Sequence, residues 1–250
     1  MKAISILAAF LLQGAAVSGH YMFSWLRINE SKSHEFEYVR RVDEVEAQSR
    51  NTLHYPQFKL GTLNETCGRG AWRYGKTTAT ATVLAGSEIA FGVWESFIFH
   101  PGPGHVYLAK VPEGIEIGDF TGHDGDWFKI AYFGPRDDGN WGTHLMAEAR
   151  FTIPATTPPG KYLMRMEHLY LSDEIPARLQ LYVNCAQINI EGRGGGKPTE
   201  FLKFPGSYVV GETQGTVLTQ KQAGYSEGDN YIMPSDLLSY IPPGPAVWTG

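Results

Sequence analysis

Long apolar runs are nearly absent from this sequence. The one near the start, Ala3 to Leu12, is too short to span a bilayer, and no later stretch is long and apolar enough. Basic residues are fewer than acidic ones, 21 against 26, which disfavours nucleic acid and anionic membranes as partners but does not exclude neutral carbohydrate. Cysteine is scarce as well. Cys67 and Cys185 are the only two, which fits one disulfide in an oxidising compartment.

The first nineteen residues have the layout of a secretory signal peptide. Met1-Lys2 is a positive start, the apolar run follows, and the small residues of Ala15-Ala16-Val17-Ser18-Gly19 form a cleavage region. Cleavage after Gly19 would leave 20 basic and 26 acidic residues in a chain that begins at His20. We therefore predict a signal peptide over 1–19 and a secreted, extracellular, monomeric protein with a single domain over 20–250.

Two sequons are candidate modification sites in such a secreted chain. Asn29-Glu30-Ser31 and Asn64-Glu65-Thr66 both match the acceptor pattern for N-glycans on a eukaryotic secretory route. Asn29 and Asn64 are therefore predicted glycosylation sites.

Long helical periodicity and internal repeats are also missing, and short aromatic or β-branched segments dominate instead. Breakers such as Ala85-Gly86-Ser87 and Pro158-Pro159-Gly160 separate these segments, a spacing typical of an antiparallel β-sandwich. Ser235 to Tyr240 could form one helical turn. The predicted strands are Thr77–Val83, Ile89–Phe99, Val106–Val111, Phe128–Phe133, Ala147–Ile153, Tyr162–Leu171 and Leu179–Ile190.

His20 differs from the other seven histidines by its position. At a mature N-terminus it would offer an α-amino nitrogen and a ring nitrogen from one residue. A second imidazole would complete three nitrogen donors, a set that suits Cu(II). His100 is one candidate, because the prolines of His100-Pro101-Gly102-Pro103 hold the backbone stiffly. His105 lies close by in the sequence and is the competitor.

A second candidate for the site is the predicted strand segment Gln180-Leu181-Tyr182-Val183-Asn184-Cys185. Side chains alternate along a strand, so its odd-numbered residues are expected to enter the core and to carry the disulfide through Cys185. Gln180 and Tyr182 share the other face with Asn184. A tyrosine and a glutamine side by side could flank a metal, or they could belong to an ordinary exposed polar face.

Ten short segments of this sequence have counterparts in one known family, in the same order along the chain. The matching pieces are His20-Tyr21, Thr66-Cys67, Ala81–Gly86, His100–Pro103, Val106–Ala109, Trp127–Ile130, Pro159–Glu167, Gln180–Gln187, Phe204–Tyr208 and Pro243–Trp248. The sequence thus resembles the fungal lytic polysaccharide monooxygenases of auxiliary activity family nine, once classed as glycoside hydrolases. The resemblance implies an all-β, immunoglobulin- or fibronectin-like sandwich with long loops and a flat face that carries copper.

The resemblance also implies a site and a reaction. His20 and His100 match the histidine brace that holds one copper ion. Tyr182 matches the axial tyrosine and Gln180 the glutamine behind it, so both are catalytic candidates, while His105 matches no ligand position. The implied reaction is oxidative cleavage of glycosidic bonds in a polysaccharide, such as cellulose or a related β-glucan or hemicellulose, with an external electron donor and O2 or H2O2.

One residue departs from the family pattern. Ser172 stands where relatives have a histidine that handles protons and oxygen beside the copper, and a hydroxyl cannot switch charge near neutral pH. His168 shares its strand face but lies about 13 Å away along an extended strand, too far for direct replacement. Copper binding should survive, whereas efficient oxygen activation is in doubt. For stacking on sugar rings, Tyr240 matches a position where relatives have an aromatic residue, and Tyr21 is a second candidate.

Three classes of function are compatible with these residues. The first is a copper monooxygenase that cleaves glycosidic bonds. The second is a copper-binding protein on the same scaffold with little monooxygenase activity, an alternative that Ser172 keeps open. The third is a hydrolase with paired carboxylates, for which Glu167 and Asp173 are available although their spacing fixes no geometry.

Overall fold

Short strands joined by long segments make up the chain in the computed structural model, which describes residues 19–43, 53–94, 97–171, 179–208, 225–227 and 230–250. The helices in these ranges are α1 (Asn64–Cys67) and the 3₁₀ helices Ala71–Thr77 and Leu237–Ser239. None of the described helices is long and apolar enough to cross a membrane. The described strands are β1 (Phe23–Ile28), β2 (Ser31–Lys32), β3 (Ala81–Leu84), β4 (Glu88–Val93), β5 (Gly104–Lys110), β6 (Trp127–Phe133), β7 (Pro135–Asp137), β8 (Asn140–Trp141), β9 (Glu148–Thr152), β10 (Gly160–Leu171), β11 (Leu179–Glu191), β12 (Tyr225–Glu227) and β13 (Asn230–Ile232).

Two sheets pack face to face. One has the strand order β2-β1-β4-β9 and the other β3-β11-β10-β5-β6, with antiparallel pairing except between β3 and β11. Their facing sides form the main core, which includes Phe23 and Phe91 from the smaller sheet and Met164 and Ile188 from the larger one. Burial of these apolar side chains holds the sheets together. The predicted β-sandwich is confirmed.

The larger sheet is covered on its outer side as well. Phe204 and Tyr208, from the segment after β11, pack there with Leu163 and Val183. These side chains form a second buried cluster, here called the outer cluster. The central strands of this sheet therefore bury side chains on both faces. This double burial keeps their polar side chains away from water unless they lie at an end of the sandwich.

Strand β11 excludes one alternative for its polar residues and confirms the predicted disulfide. Tyr182 lies in the main core and Cys185 in the outer cluster, so both faces of the strand are buried. The alternative of an ordinary exposed polar face is wrong, since Gln180 is 8 % and Asn184 2 % exposed. Cys185 is bonded to Cys67 with an S–S distance of 1.98 Å, which confirms the predicted disulfide.

All seven predicted strands are present, and two of their boundaries differ by more than two residues. Residues 71–77 form a 3₁₀ helix, followed by a hydrogen bond from Thr78 Oγ1 to Tyr74 O of 2.8 Å, so the first predicted strand starts only at Ala81. The predicted strand that reaches Phe99 ends at Val93. β1 lies outside the predicted strands, because its apolar residues do not alternate. The helical turn expected near residue 237 is present.

Two isolated bridges occupy the edge of β11 beyond its pairing with β3. They join Val39 to Ala186 and Gln57 to Leu181. Backbone hydrogen bonds of 2.8 and 2.9 Å make the second bridge. This bridge holds the segment around residue 55 beside Tyr182, at the end of the sandwich where β1 and β5 begin.

Candidate metal centre

Three side chains from distant parts of the sequence meet at this end. His20 precedes β1, His100 precedes β5 and Tyr182 lies on β11. The ring centroids are 6.1 Å apart for His20 and His100, 6.0 Å for His100 and Tyr182, and 6.4 Å for His20 and Tyr182. Phe23 N donates to Asn184 Oδ1 at 2.9 Å, which ties the start of β1 to β11. The rings thus form a nearly equilateral triangle.

The size of this triangle fits a single metal ion. An imidazole nitrogen binds a metal at about 2.0 Å, which places the ring centroid about 3.2 Å from the ion. Two imidazoles on opposite sides of one ion would have centroids about 6.4 Å apart. The observed separation of His20 and His100 is 6.1 Å, with the rings inclined at 75°. Because nitrogen donors suit Cu(II), the residues present fit copper.

The backbone nitrogen of His20 is a candidate third nitrogen donor. Within the described ranges, no group of three or more His, Cys, Asp or Glu side chains could hold a metal. A Cβ built on Gly19 would lie 3.3 Å from His100 Cε1 and 3.4 Å from His100 Nε2, so the Gly19–His20 peptide bond lies beside the second imidazole. In the uncut chain this nitrogen is an amide, whereas cleavage after Gly19 would make it an amine.

The turn that carries His100 is fixed by contacts with its neighbours. Gly102 O accepts hydrogen bonds from Thr143 Oγ1 and, at 3.2 Å, from His168 Nε2. A Cβ on Gly102 would lie only 1.8 Å from Leu169 O, so glycine is required there. These contacts add to the stiffness that the prolines provide.

Tyr182 reaches the triangle as a neutral phenol. Its hydroxyl donates to Gln180 Oε1 at 2.6 Å. Burial raises the pKa of Tyr182, and the nearby Tyr170 adds to the rise, so the proton stays on the phenol. With its proton directed at Gln180, Tyr182 can offer a metal only a neutral oxygen lone pair. Gln180 therefore sets the orientation of the group predicted to be axial.

Tyr21 is buried, which corrects the expectation that it contacts a sugar. It is 2 % exposed and stacks on Tyr182 at 4.0 Å and 14°. Its hydroxyl donates to His168 Nδ1 at 2.6 Å, so the ring proton of His168 is on Nε2, where it is donated to Gly102 O. Burial, together with the nearby His100, lowers the pKa of His168 to about 3. Tyr21 and neutral His168 thus support the site from within.

His105 belongs to the outer side of the larger sheet and not to this site. It is fully buried, and its Nδ1 lies 2.9 Å from Glu167 Oε1. Glu167 also accepts hydrogen bonds from Arg165 and Tyr208. Burial would raise the pKa of Glu167, but the charge of Arg165 and these hydrogen bonds lower it to about 2. A polysaccharide cannot reach this carboxylate, which contradicts the hydrolase hypothesis for Glu167; Asp173 lies outside the described residues.

Two aromatic neighbours of the candidate ligand rings are absent from the predicted set. Tyr55 stacks on His20 at 4.5 Å and 25° and is 40 % exposed. Tyr170 stacks on His100 at 4.1 Å and 4°. Strand alternation along β10 could have identified Tyr170, whereas Tyr55 is placed by the isolated bridge to β11, which no local pattern predicts. Burial lowers the pKa of His20, and nearby His54 lowers it further, which favours the neutral imidazole that binds metals.

The remaining predicted residues lie in different environments. Tyr240 is half-buried and packs against Trp141 at 5.1 Å, so only part of its ring can contact a sugar. Burial raises the pKa of Tyr240 well above its ordinary value. Asn29 is exposed in the turn between β1 and β2. Asn64 is half-buried, and its Oδ1 accepts a backbone N–H at 3.1 Å. Ser172 lies outside the described residues.

The sequence matches a known family over most of its length. The model of Auxiliary Activity family 9 (formerly GH61) matches residues 20–231. The chain is 40 % identical over 264 aligned residues to the AA9 family lytic polysaccharide monooxygenase U of Thermothielavioides terrestris, and the match covers 98 % of each chain. A match of this extent shows the family.

Solved structures share the fold. The extended catalytic domain of H. jecorina LPMO9A superposes with a TM-score of 0.70 at 19 % identity, covering 92 % of each chain. A cellulose-active polysaccharide monooxygenase from M. thermophila superposes with a TM-score of 0.66 at 21 % identity, covering 92 % of this chain and 100 % of that one. Together with the sequence match, the shared sandwich shows that this chain belongs to auxiliary activity family 9, the copper-dependent lytic polysaccharide monooxygenases.

Proposed function

We propose that the mature chain binds one copper ion per molecule and oxidises a polysaccharide at that ion. The His20 amino and ring nitrogens, the His100 ring and the Tyr182 hydroxyl would hold the copper. The observation that carries this proposal is the triangle of rings, whose His20–His100 separation of 6.1 Å suits two imidazoles on one ion.

The side chains around the triangle of rings fix the orientation of Tyr182 and His100. When bound and reduced by an external donor, the copper would supply the redox chemistry that activates O2 or H2O2. Gln180 holds the Tyr182 hydroxyl, and Tyr21 packs on the other side of that phenol. Tyr170 stacks flat on His100 and limits its rotation. The ligands are thus held in place by packing before a metal arrives.

Exposed rings beside the ligands support a carbohydrate substrate. Tyr55 adjoins His20 and is 40 % exposed, and Phe99 precedes His100 and is 41 % exposed. Such rings stack on the C–H faces of sugars. We propose cellulose, or a related β-glucan or hemicellulose, as the substrate, in line with the solved relative that is described as cellulose-active. Tyr240 would be a peripheral contact.

Removal of the signal peptide during export would complete the proposed copper site, because it makes the His20 nitrogen an amine. The family match begins at residue 20, which supports residues 1–19 as a signal peptide and 20–250 as one extracellular domain. We expect a monomer that works without nucleic acid or membrane partners. The exposed turn makes Asn29 a better glycan acceptor than the half-buried Asn64.

Product analysis tests this function. Copper-loaded mature protein and its His100→Ala variant would be incubated with cellulose, a mixed β-glucan and a hemicellulose, with ascorbate and H2O2. We expect oxidised sugars from the parent alone, and only with copper and reductant. Purely hydrolytic products would contradict the proposal. Normal copper binding without oxidised products from any polymer would favour the alternative of a copper-binding protein with little monooxygenase activity.

A further inference from the structure

A cavity of about 350 Å³ lies on the His100 side of the metal centre. Its walls are mainly aromatic and proline rings. Two polar side chains, His144 and Asn140, line the same cavity, and His144 is exposed to solvent. The aromatic walls are formed by the rings of Phe99, His100, Trp141 and Tyr170.

The walls of this cavity are held by the fold. Ile98 N donates to Met146 O and Leu145 N donates to Ile98 O, both at 2.9 Å, so the segment before His100 is tied to the segment after Trp141. Tyr170 is stacked on His100 at 4.1 Å. The cavity is therefore preformed, as small-molecule sites usually are.

We propose that this cavity binds a small phenolic reductant, of the hydroquinone type, against the His100 ring. The inference rests on the proposed copper site. A cavity of about 150 Å³ lined by apolar side chains holds benzene, so this one has room for a substituted phenol. Flat ring walls match a planar aromatic ligand. A pyranose carries hydroxyls all around its ring, and His144 and Asn140 cannot satisfy them all.

The position of the cavity gives the ligand a role. Hydroquinone would lose one electron and one proton and become a phenoxyl-type radical. The electron would pass through the His100 ring and reduce Cu(II) to Cu(I), and the proton would leave to water at the exposed rim beside His144. The carbonyl oxygen of Asn140 can accept a hydrogen bond from a phenol hydroxyl. The cavity would thus connect the external donor to the metal without covering His20.

Binding is tested first on the metal-free mature protein, with hydroquinone as the probe and the indole N–H resonance of Trp141 as the readout. A Cβ on Gly139, which lines the cavity, would meet its nearest atoms only at 3.8 and 3.9 Å, so Gly139→Leu should fill space without clash. We expect Gly139→Leu to weaken binding about tenfold or more and His144→Ala about threefold. His34→Ala, at another exposed histidine, is the matched control and should change nothing.

Reduction of the loaded protein is tested next, by anaerobic stopped-flow with EPR detection of Cu(II). Gly139→Leu should slow reduction by hydroquinone about tenfold and leave reduction by ascorbate within about twofold. Absence of saturable hydroquinone binding, equal losses in His34→Ala, or binding of cellobiose in place of hydroquinone would overturn the inference. Failure of all forms to bind copper would contradict the proposed function instead, while the metal-free titration would still decide the cavity.

Discussion

Two clusters of histidine and tyrosine side chains contact the larger sheet, one on its outer side and one at the end of the sandwich, and they differ in the groups that their histidines meet. In the outer cluster, His105 and Tyr208 are buried and share the carboxylate of Glu167. In the candidate metal centre, His20 and His100 are only half-buried and converge at the end of the sandwich. The comparison teaches that residue type does not define a site. A histidine whose partner is a buried carboxylate is structural, whereas converging rings at an open end can accept an ion.

The largest effect is expected from the disulfide that anchors the outer cluster. Cys185 lies in that cluster, and its bond to Cys67 closes a loop of 118 residues. Replacing both cysteines by serine should lower the free energy of unfolding by about 5 kcal/mol, because the unfolded chain gains entropy. Urea unfolding of parent and variant checks this. A change below about 1 kcal/mol would contradict the chain-entropy account.

Breaking the buried ion pair should come next in size. Glu167→Gln leaves Arg165 buried without its charge partner, which should cost about 3–5 kcal/mol in urea unfolding. Glu148→Gln is the control, because its pair with Arg27 is partly exposed and its loss should cost far less. Equal losses of unfolding free energy in the two variants would show that burial of the Glu167–Arg165 pair does not increase the cost of breaking it.

The same carboxylate predicts a dependence of stability on pH. The pKa of Glu167 falls from 4.5 to about 2 in the folded chain, so its contribution is present above pH 4.5 and is lost as the pH falls toward 2. The unfolding free energy of metal-free parent should decline across this window. The decline should be shallower in Glu167→Gln, and parallel curves for the two proteins would refute the assignment.

At the metal centre, the expected effect is on turnover. Ser172→His should raise release of oxidised sugars by about 10- to 100-fold, because the family resemblance assigns a proton-handling histidine to this position. Copper affinity should stay the same, since the proposed ligands His20 and His100 are unchanged. Product release and calorimetry on both proteins check this. If the parent is already as fast as the variant, the argument from Ser172 fails.

The smallest effect is expected at the exposed ring beside His20. Tyr55→Ala removes an aromatic contact worth about 0.5–1.5 kcal/mol, so binding to cellulose should weaken about two- to tenfold. Phe58→Ala is the control, because Phe58 is also exposed but has no ring contact with the ligand histidines in the described structure. A pull-down isotherm on cellulose compares them. Equal weakening by both variants would show that the position of Tyr55 beside His20 does not matter for cellulose binding.

The sequence predicts strands well where apolar and polar side chains alternate along a short segment. It predicts contacts poorly where they depend on segments that are distant in the sequence. β3 and β11 follow from β-branched and alternating residues. Strand parity and the family match place Tyr182 among the candidate metal-site residues, and the structure brings its ring near those of His20 and His100. Tyr21 adjoins His20 in the sequence, which suggests a place at the surface, yet stacking on Tyr182 buries it. Tyr55 depends on a two-bond bridge to β11, which has no local signal.

Calorimetry of Cu(II) binding tests the central claim most directly. Two forms of the chain would be compared, one beginning at His20 and one that retains Gly19. The account predicts one tightly bound ion per chain for the first form. In the second form the His20 nitrogen remains an amide beside His100, and affinity should fall by more than about 100-fold, beyond the usual loss for an outer partner of a metal ligand. Equal affinity for the two forms would contradict the brace.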